Sequence, residues 1–198
     1  MNQLELGHVF WFVDPAGDWP ARLAATGIRL DDGIAHPGQG TRNRRMWMAD
    51  SYVELAWLEA PGDAATNPLR FDRRTCPLGI GLAGALPDKT GWWPYQPPFA
   101  PGFTIWILDA ADDEPLVFAS EATPEMLARY TPSNRLASTP ELINPYEIRE
   151  LRARLPVEIP PRMRDVVGPL VTWSRGPARL DIVLGIDVAV TDTLSFVA

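Results

Sequence analysis

Apolar and polar positions alternate in short runs broken by Pro, Gly and Asp. Leu4 to Val13 is an aromatic and β-branched run and reads as a strand, stopped by Asp14-Pro15-Ala16-Gly17. Asp18 can cap a short helix over Trp19 to Thr26, with Pro20 in its first turn and Gly27 as its stop. Ile28 to Ala35 reads as a weaker strand, and His36-Pro37-Gly38-Gln39-Gly40 as a turn. Thr41 to Met48 and Tyr52 to Leu58 are two strands around a tight turn. The predicted order is β-α-β-β-β.

A Pro/Gly/Asp-rich linker follows from Pro61 to about Pro77, then strands at Leu78 to Ala83, Phe103 to Leu108 and Leu116 to Ala119. Between the first two lies a Trp/Pro loop, Gly91 to Gly102. Thr123-Pro124-Glu125 and Thr139-Pro140-Glu141 are helix starts. Ile148 to Pro156, a short helix in Pro160 to Leu170, and strands at Val171 to Ser174, Arg179 to Leu184 and Thr193 to Val197 repeat the opening order without repeating its residues. The pattern predicts an α+β chain in three stretches: a module over 1–60, a linker with middle strands over 61–122, and a helical connection with a βαβββ-like segment over 123–198, packed as one unit.

Side chains alternate across a strand. On one face Val9, Val13, Met46, Met48, Val53 and Leu55 can pack on the short helix through Leu23. The opposite face then collects His8, Phe10, Asn43, Arg45, Trp47, Tyr52 and Glu54. A solvated sheet face seldom needs so many large aromatics, whereas a binding cavity sets a few polar groups among apolar walls.

Composition narrows the partners. The net charge of −7 makes nucleic acid a poor default partner. One cysteine, Cys76, leaves no intrachain disulfide, and with no base in view it reads as a small buried or loop residue. The longest N-terminal apolar run, Val9 to Val13, is too short for a secretory core, and nowhere do 18 apolar residues run together, so the expected compartment is the cytoplasm.

The stretch His36-Pro37-Gly38-Gln39-Gly40-Thr41-Arg42-Asn43-Arg44, closing into Tyr52-Val53-Glu54-Leu55 after Leu6-Gly7-His8-Val9, resembles the glyoxalase-like domain of the vicinal oxygen chelate superfamily, well over about residues 4–60 and loosely beyond. The resemblance implies βαβββ modules curled into a cupped mixed sheet with short helices outside, and often a homodimer. It implies a divalent ion held by His and Glu, here His8 and Glu54, with Glu54 also the catalytic proton carrier, or Glu121 in its place. Nitrogen plus carboxylate suits Fe, Mn, Ni, Zn or Co. The chain departs from that pattern: it has only two histidines, and neither candidate second-module strand offers one. Glu121 is the candidate third ligand, with Glu147 and Asp181 further options. The other reading of His8 and Glu54 is a buried polar pair lining a metal-free pocket.

Gly79 to Gly84 spells G-x-G-x-x-G, but Pro87 stops any helix, so the glycines mark close packing on a strand rather than a nucleotide loop. Arg45 beside Trp47 can orient an anion. Trp92, in the long loop, is either a lid, an oligomer contact or a core plug. The tract Asp109, Asp112, Asp113, Glu114 reads as a solvated hairpin turn. Two functions follow: a metal-dependent lyase, isomerase or dioxygenase, or a metal-free protein that binds or sequesters a small molecule, with Trp47, Trp92 and Trp106 as walls. A structural or interaction domain is the third.

Overall fold

Strand β1 (Glu5–Phe12) lies at the centre of an eight-stranded sheet, in the computed structural model that describes residues 4–48, 51–120, 140–186 and 189–198. Helix α1 (Trp19–Ala25) follows, then β2 (Ile34–His36), β3 (Thr41–Trp47) and β4 (Tyr52–Leu58). The next stretch holds a short helix, α2 (Pro61–Thr66), and strands β5 (Leu78–Ala83), β6 (Trp92–Tyr95), β7 (Ile105–Leu108) and β8 (Leu116–Ser120). The strand order is β2-β3-β4-β1-β5-β8-β7-β6. β1 runs parallel to β4, β5 runs parallel to β8, and the two halves join through the antiparallel β1–β5 pair. The second half therefore repeats the pairing of the first, with the loop 84–91 where α1 would stand. This is an α+β cupped sheet.

Several elements differ from the sequence expectation, among them α2, which stands in the stretch read as linker. Only Ile34–His36 of the weak second strand pairs, because Asp31 takes over the β3 edge: its backbone N–H donates to the Arg45 carbonyl and its Oδ1 accepts the Arg45 N–H at 2.8 Å. The Trp/Pro loop begins as strand β6, where Pro94 is tolerated because β6 is the sheet edge and needs no outer donor.

The chain ends in a second sheet of β9 (Glu147–Leu155), β10 (Val171–Arg175), β11 (Arg179–Ile186) and β12 (Ala189–Val197), with α3 (Pro161–Val167) after β9. Its element order matches that of the first module, but its pairing does not. The order is β10-β9-β11-β12, so the strand after the helix lies directly beside the first strand instead of three places away. Equal element order does not fix which edges meet.

The outer face of the large sheet, with Val9, Trp11, Met46, Met48, Leu55, Ile80 and Val117, forms one apolar core with α1, α3 and the inward face of the second sheet, Leu151, Ala153, Leu155, Leu180, Ile182, Leu184 and Leu194. Each of the buried Val, Leu, Ile and Met side chains contributes about 1.5–3 kcal/mol by leaving water. Buried Asn144 ties this layer to the cup wall: its backbone N–H and its Nδ2 donate to the Trp47 carbonyl, and its Oδ1 accepts the Arg29 N–H. The start Thr123-Pro124-Glu125 lies outside the described residues, and Thr139-Pro140-Glu141 leads into a single 3-10 turn, Pro140–Leu142.

Candidate functional site

Sheet register sets the inner face row by row. His8 pairs with Tyr52 on one side and with Gly81 on the other, and Gly81 pairs with Phe118. The next row is Arg45, Glu54, Phe10, Gly79 and Leu116. Asn43 opposes Ala56, one row further on. Six sequence candidates, Phe10, Asn43, Arg45, Trp47, Tyr52 and Glu54, therefore stand together with His8. A bulge at Gly7 turns Leu6 to the outer core instead.

The G-x-G of β5 explains itself here. A Cβ at Gly79 would collide with the Phe10 ring, and one at Gly81 would lie 2.7 Å from His8 Nδ1 and 2.8 Å from Phe118 Cζ. The glycines let two rings lie flat on the strand backbone. The His8 ring stacks on Tyr52 at 4.5 Å and 7°, and meets Phe118 at 5.0 Å. Tyr52 continues to Trp47 at 4.7 Å. The far end of the cup is plugged: Phe71, from the stretch after α2, packs on Phe10 and Phe12.

Burial sets the charge states. It pulls the His8 imidazole down to about 3, helped by the Arg45 cation, so the ring is neutral. Burial also raises the Glu54 carboxyl, against the opposing effects of His36, the Asn43 amide and Arg45. Asn43 is fully buried, and its Oδ1 accepts the Ile34 N–H, which fixes the amide and turns Nδ2 inward. That nitrogen makes no well-formed hydrogen bond, although it lies close enough to Glu54 to favour the carboxylate. The His8 shift has a measurable consequence. The unfolded chain takes up a proton near pH 6.5 that the folded chain refuses until about 3, so this contribution to stability is lost as pH falls through that window. Glu54 acts in the opposite sense, costing stability as pH rises above about 4.5. Urea midpoints of the wild type are expected to fall between pH 6.5 and pH 5 more steeply than those of His8→Phe; equal slopes would show that His8 is not held neutral.

Several candidates land elsewhere. Arg45 is not free for a ligand anion: its Nε lies 2.7 Å from Asp31 Oδ2, which also accepts the Trp47 indole N–H at 3.0 Å, and its guanidinium covers the Trp47 ring. Asp31 was invisible in the sequence because it sits in an unpaired stretch. Trp92 and Trp106 pack on the outer core, because strand parity puts Trp93 and Tyr95 inside in their place. Glu147 and Asp181 are in the second sheet, paired with Arg149 and Arg179. Glu121 lies outside the described residues. Cys76 is buried, its thiol pushed up to about 11.

His36 ends β2 rather than lying in the turn, and it shares a face with Thr41. Its Nδ1 meets Thr41 Oγ1 at 3.0 Å, Gln39 Nε2 donates to the same oxygen, and Tyr95 Oη joins Gln39 and Asn67. Phe99 stacks on His36 at 4.5 Å. This network ties β2 to β6, the two edges of the sheet, and closes the cup at one rim.

The two-half sheet is that of a known family. The model of the glyoxalase-like domain matches residues 6–131, more than half of the chain. The chain belongs to the glyoxalase-like domain family. No curated protein matches it significantly. Among solved structures, a hypothetical protein from Staphylococcus aureus is similar in fold, with TM-score 0.53, 14% identity, and 93% of this chain and 82% of that one covered. A hypothetical protein from Bacillus halodurans C-125 (TM-score 0.44, 16% identity, 61% and 95% covered) and a variant of Streptomyces coelicolor methylmalonyl-CoA epimerase in complex with 2-nitronate-propionyl-CoA (TM-score 0.40, 15% identity, 61% and 100% covered) also match. For this glyoxalase-like chain, the implied divalent ion finds two donors, His8 and Glu54. The facing positions of the second half are Gly79, Gly81, Leu116 and Phe118, and no group of three His, Cys, Asp or Glu comes together among the described residues. These residues do not make up a metal set.

Proposed function

We propose that this glyoxalase-like protein binds a small molecule in the cup without a metal ion. One observation carries the reading: the second-half positions opposite His8 and Glu54 are glycine, leucine and phenylalanine, which supply packing and no donor atoms. Tyr52, Trp47, Phe10 and Phe118 form the walls, and Glu54 is the group there able to give or take a proton. In this reading the described residues of 1–60 and 61–122 are the two halves of the cup, and those of 123–198 back them in one unit. The organisation is compatible with a homodimer in the cytoplasm; no helix among the described residues is long and apolar enough to cross a membrane.

The second reading is a lyase, isomerase or dioxygenase using Fe, Mn, Ni, Zn or Co. It is favoured by His8 and Glu54 standing one register row apart on the paired strands β1 and β4; the third ligand it calls for, Glu121, lies outside the described residues. Elemental analysis of the purified protein, with melting shifts on adding each ion to wild type and His8→Ala, separates the two. We expect far less than one ion per chain and no His8-dependent shift. Near-stoichiometric metal that His8→Ala loses would replace the first reading with the second.

A further inference from the structure

We propose that the protein carries a second small-molecule site, beside β7 and the start of β8, which takes a small zwitterion with its carboxylate toward Arg70 and its ammonium toward Asp109 and Asp112. None of the ligand walls named above, Tyr52, Trp47, Phe10 and Phe118, lines this cavity, so it is a separate site.

The cavity measures about 180 Å³ and lies between the stretch 68–74, after α2, and the turn that joins β7 to β8. An engineered cavity of about 150 Å³ holds a benzene ring, so the space suits a molecule of that size. Trp93, Ile107 and Leu116 form its apolar side. Arg74 fastens the two walls together: its Nη2 donates to the Ala111 carbonyl at 3.2 Å and to the Glu114 carbonyl at 2.7 Å. The Thr75 and Cys76 N–H groups add to this by donating to the Asp112 carbonyl. Arg70 stands between two buried side chains, Leu69 and Phe71, and has a φ of 51°, the only positive value outside glycine among the described residues. Asn67 holds it there: its carbonyl accepts the Arg70 N–H at 2.9 Å and its Oδ1 accepts the Leu69 N–H at 3.0 Å. Such a backbone persists only where its surroundings over-determine it, and it gathers at ligand sites.

The charges decide the ligand. One wall contributes the cations Arg70 and Arg74, and the other contributes the carboxylates of Asp109 and Asp112. Arg74 is spent on the two carbonyls, but the side chains of Arg70, Asp109 and Asp112 make no ion pair and no hydrogen bond among the described residues. A lone anion would meet two carboxylates, and a lone cation would meet two guanidinium groups, so one wall repels each of them. A molecule with both charges satisfies both walls and brings no net charge into the cavity. A guanidinium fork matches a carboxylate, and an ammonium is a compact charge that two carboxylates can share.

Calorimetry with matched compounds tests this: the zwitterions L-leucine and 5-aminopentanoate, the carboxylates 4-methylpentanoate and pentanoate, and the amines 3-methylbutylamine and pentylamine. At least one zwitterion is expected to bind about tenfold more tightly than both of its singly charged analogues, and to lose about tenfold in affinity in Arg70→Gly and in the double variant Asp109→Asn with Asp112→Asn. Arg70→Gly removes the guanidinium and suits the positive φ, and all three residues are exposed, so both variants keep the fold. A singly charged analogue that binds as tightly as its zwitterion would overturn the proposal. So would zwitterion binding that either variant leaves unaltered, since one charged wall would then take no part. No binding by any compound at millimolar concentration would overturn it as well.

Discussion

Replacing Gly79 with Ala will lower the melting temperature by about 5–10 °C, corresponding to about 2–3 kcal/mol of overpacking in a chain of this size. The added methyl would have to occupy the space of the Phe10 ring. Phe10 has little room to retreat, since Phe12, Phe71 and Phe118 surround it and it is 7% exposed. Interiors packed to crystal-like density transmit such a collision to their neighbours. A smaller partner relieves it: Gly79→Ala combined with Phe10→Leu should lose less than the sum of the single changes, because the two sites share one volume. Thermal unfolding of the four proteins measures this coupling. Strict additivity, or an unaltered melting temperature in Gly79→Ala, would show that the ring does not lie on the strand.

Removal of the Asp31 carboxylate has the other large effect. Asp31→Ala will cost about 3–5 kcal/mol, because it leaves the Arg45 guanidinium buried without a counter-ion. The side chains of the pair are 11% and 8% exposed, so solvent screens them weakly, unlike the surface pairs Arg22–Asp18 and Arg42–Glu59. The substitution also removes acceptors for the Arg45 N–H, the Gly33 N–H and the Trp47 indole N–H. Removing both charges is a different experiment. Asp31→Leu with Arg45→Met should recover part of the loss, since the desolvation cost of the pair disappears with it. Urea unfolding at neutral pH measures both, and a loss below about 1 kcal/mol in Asp31→Ala would mean that the pair is effectively in water.

The sequence by itself determined the elements and the faces of the first module. Period-2 alternation and β-branched, aromatic content placed β4 and β5 at their observed ends and set Val9, Met46 and Val53 against His8, Phe10, Arg45 and Glu54, because neighbouring side chains on a strand must point to opposite faces. The glycines of β5 announced a close approach to its backbone, as a missing Cβ does, without naming the rings that make it. What only the tertiary structure decided is which edges meet and which charges pair. The middle strands, rather than the C-terminal ones, complete the cup, although both stretches read alike, because pairing order is set by contacts between residues distant in sequence. Trp92 and Trp106 turned outward because the pairing of β6 and β7 with β8 fixed their parity, which the irregular run around Pro94 had hidden. Asp31 took Arg45 from the ligand side across 14 residues of chain, a contact that no local pattern encodes.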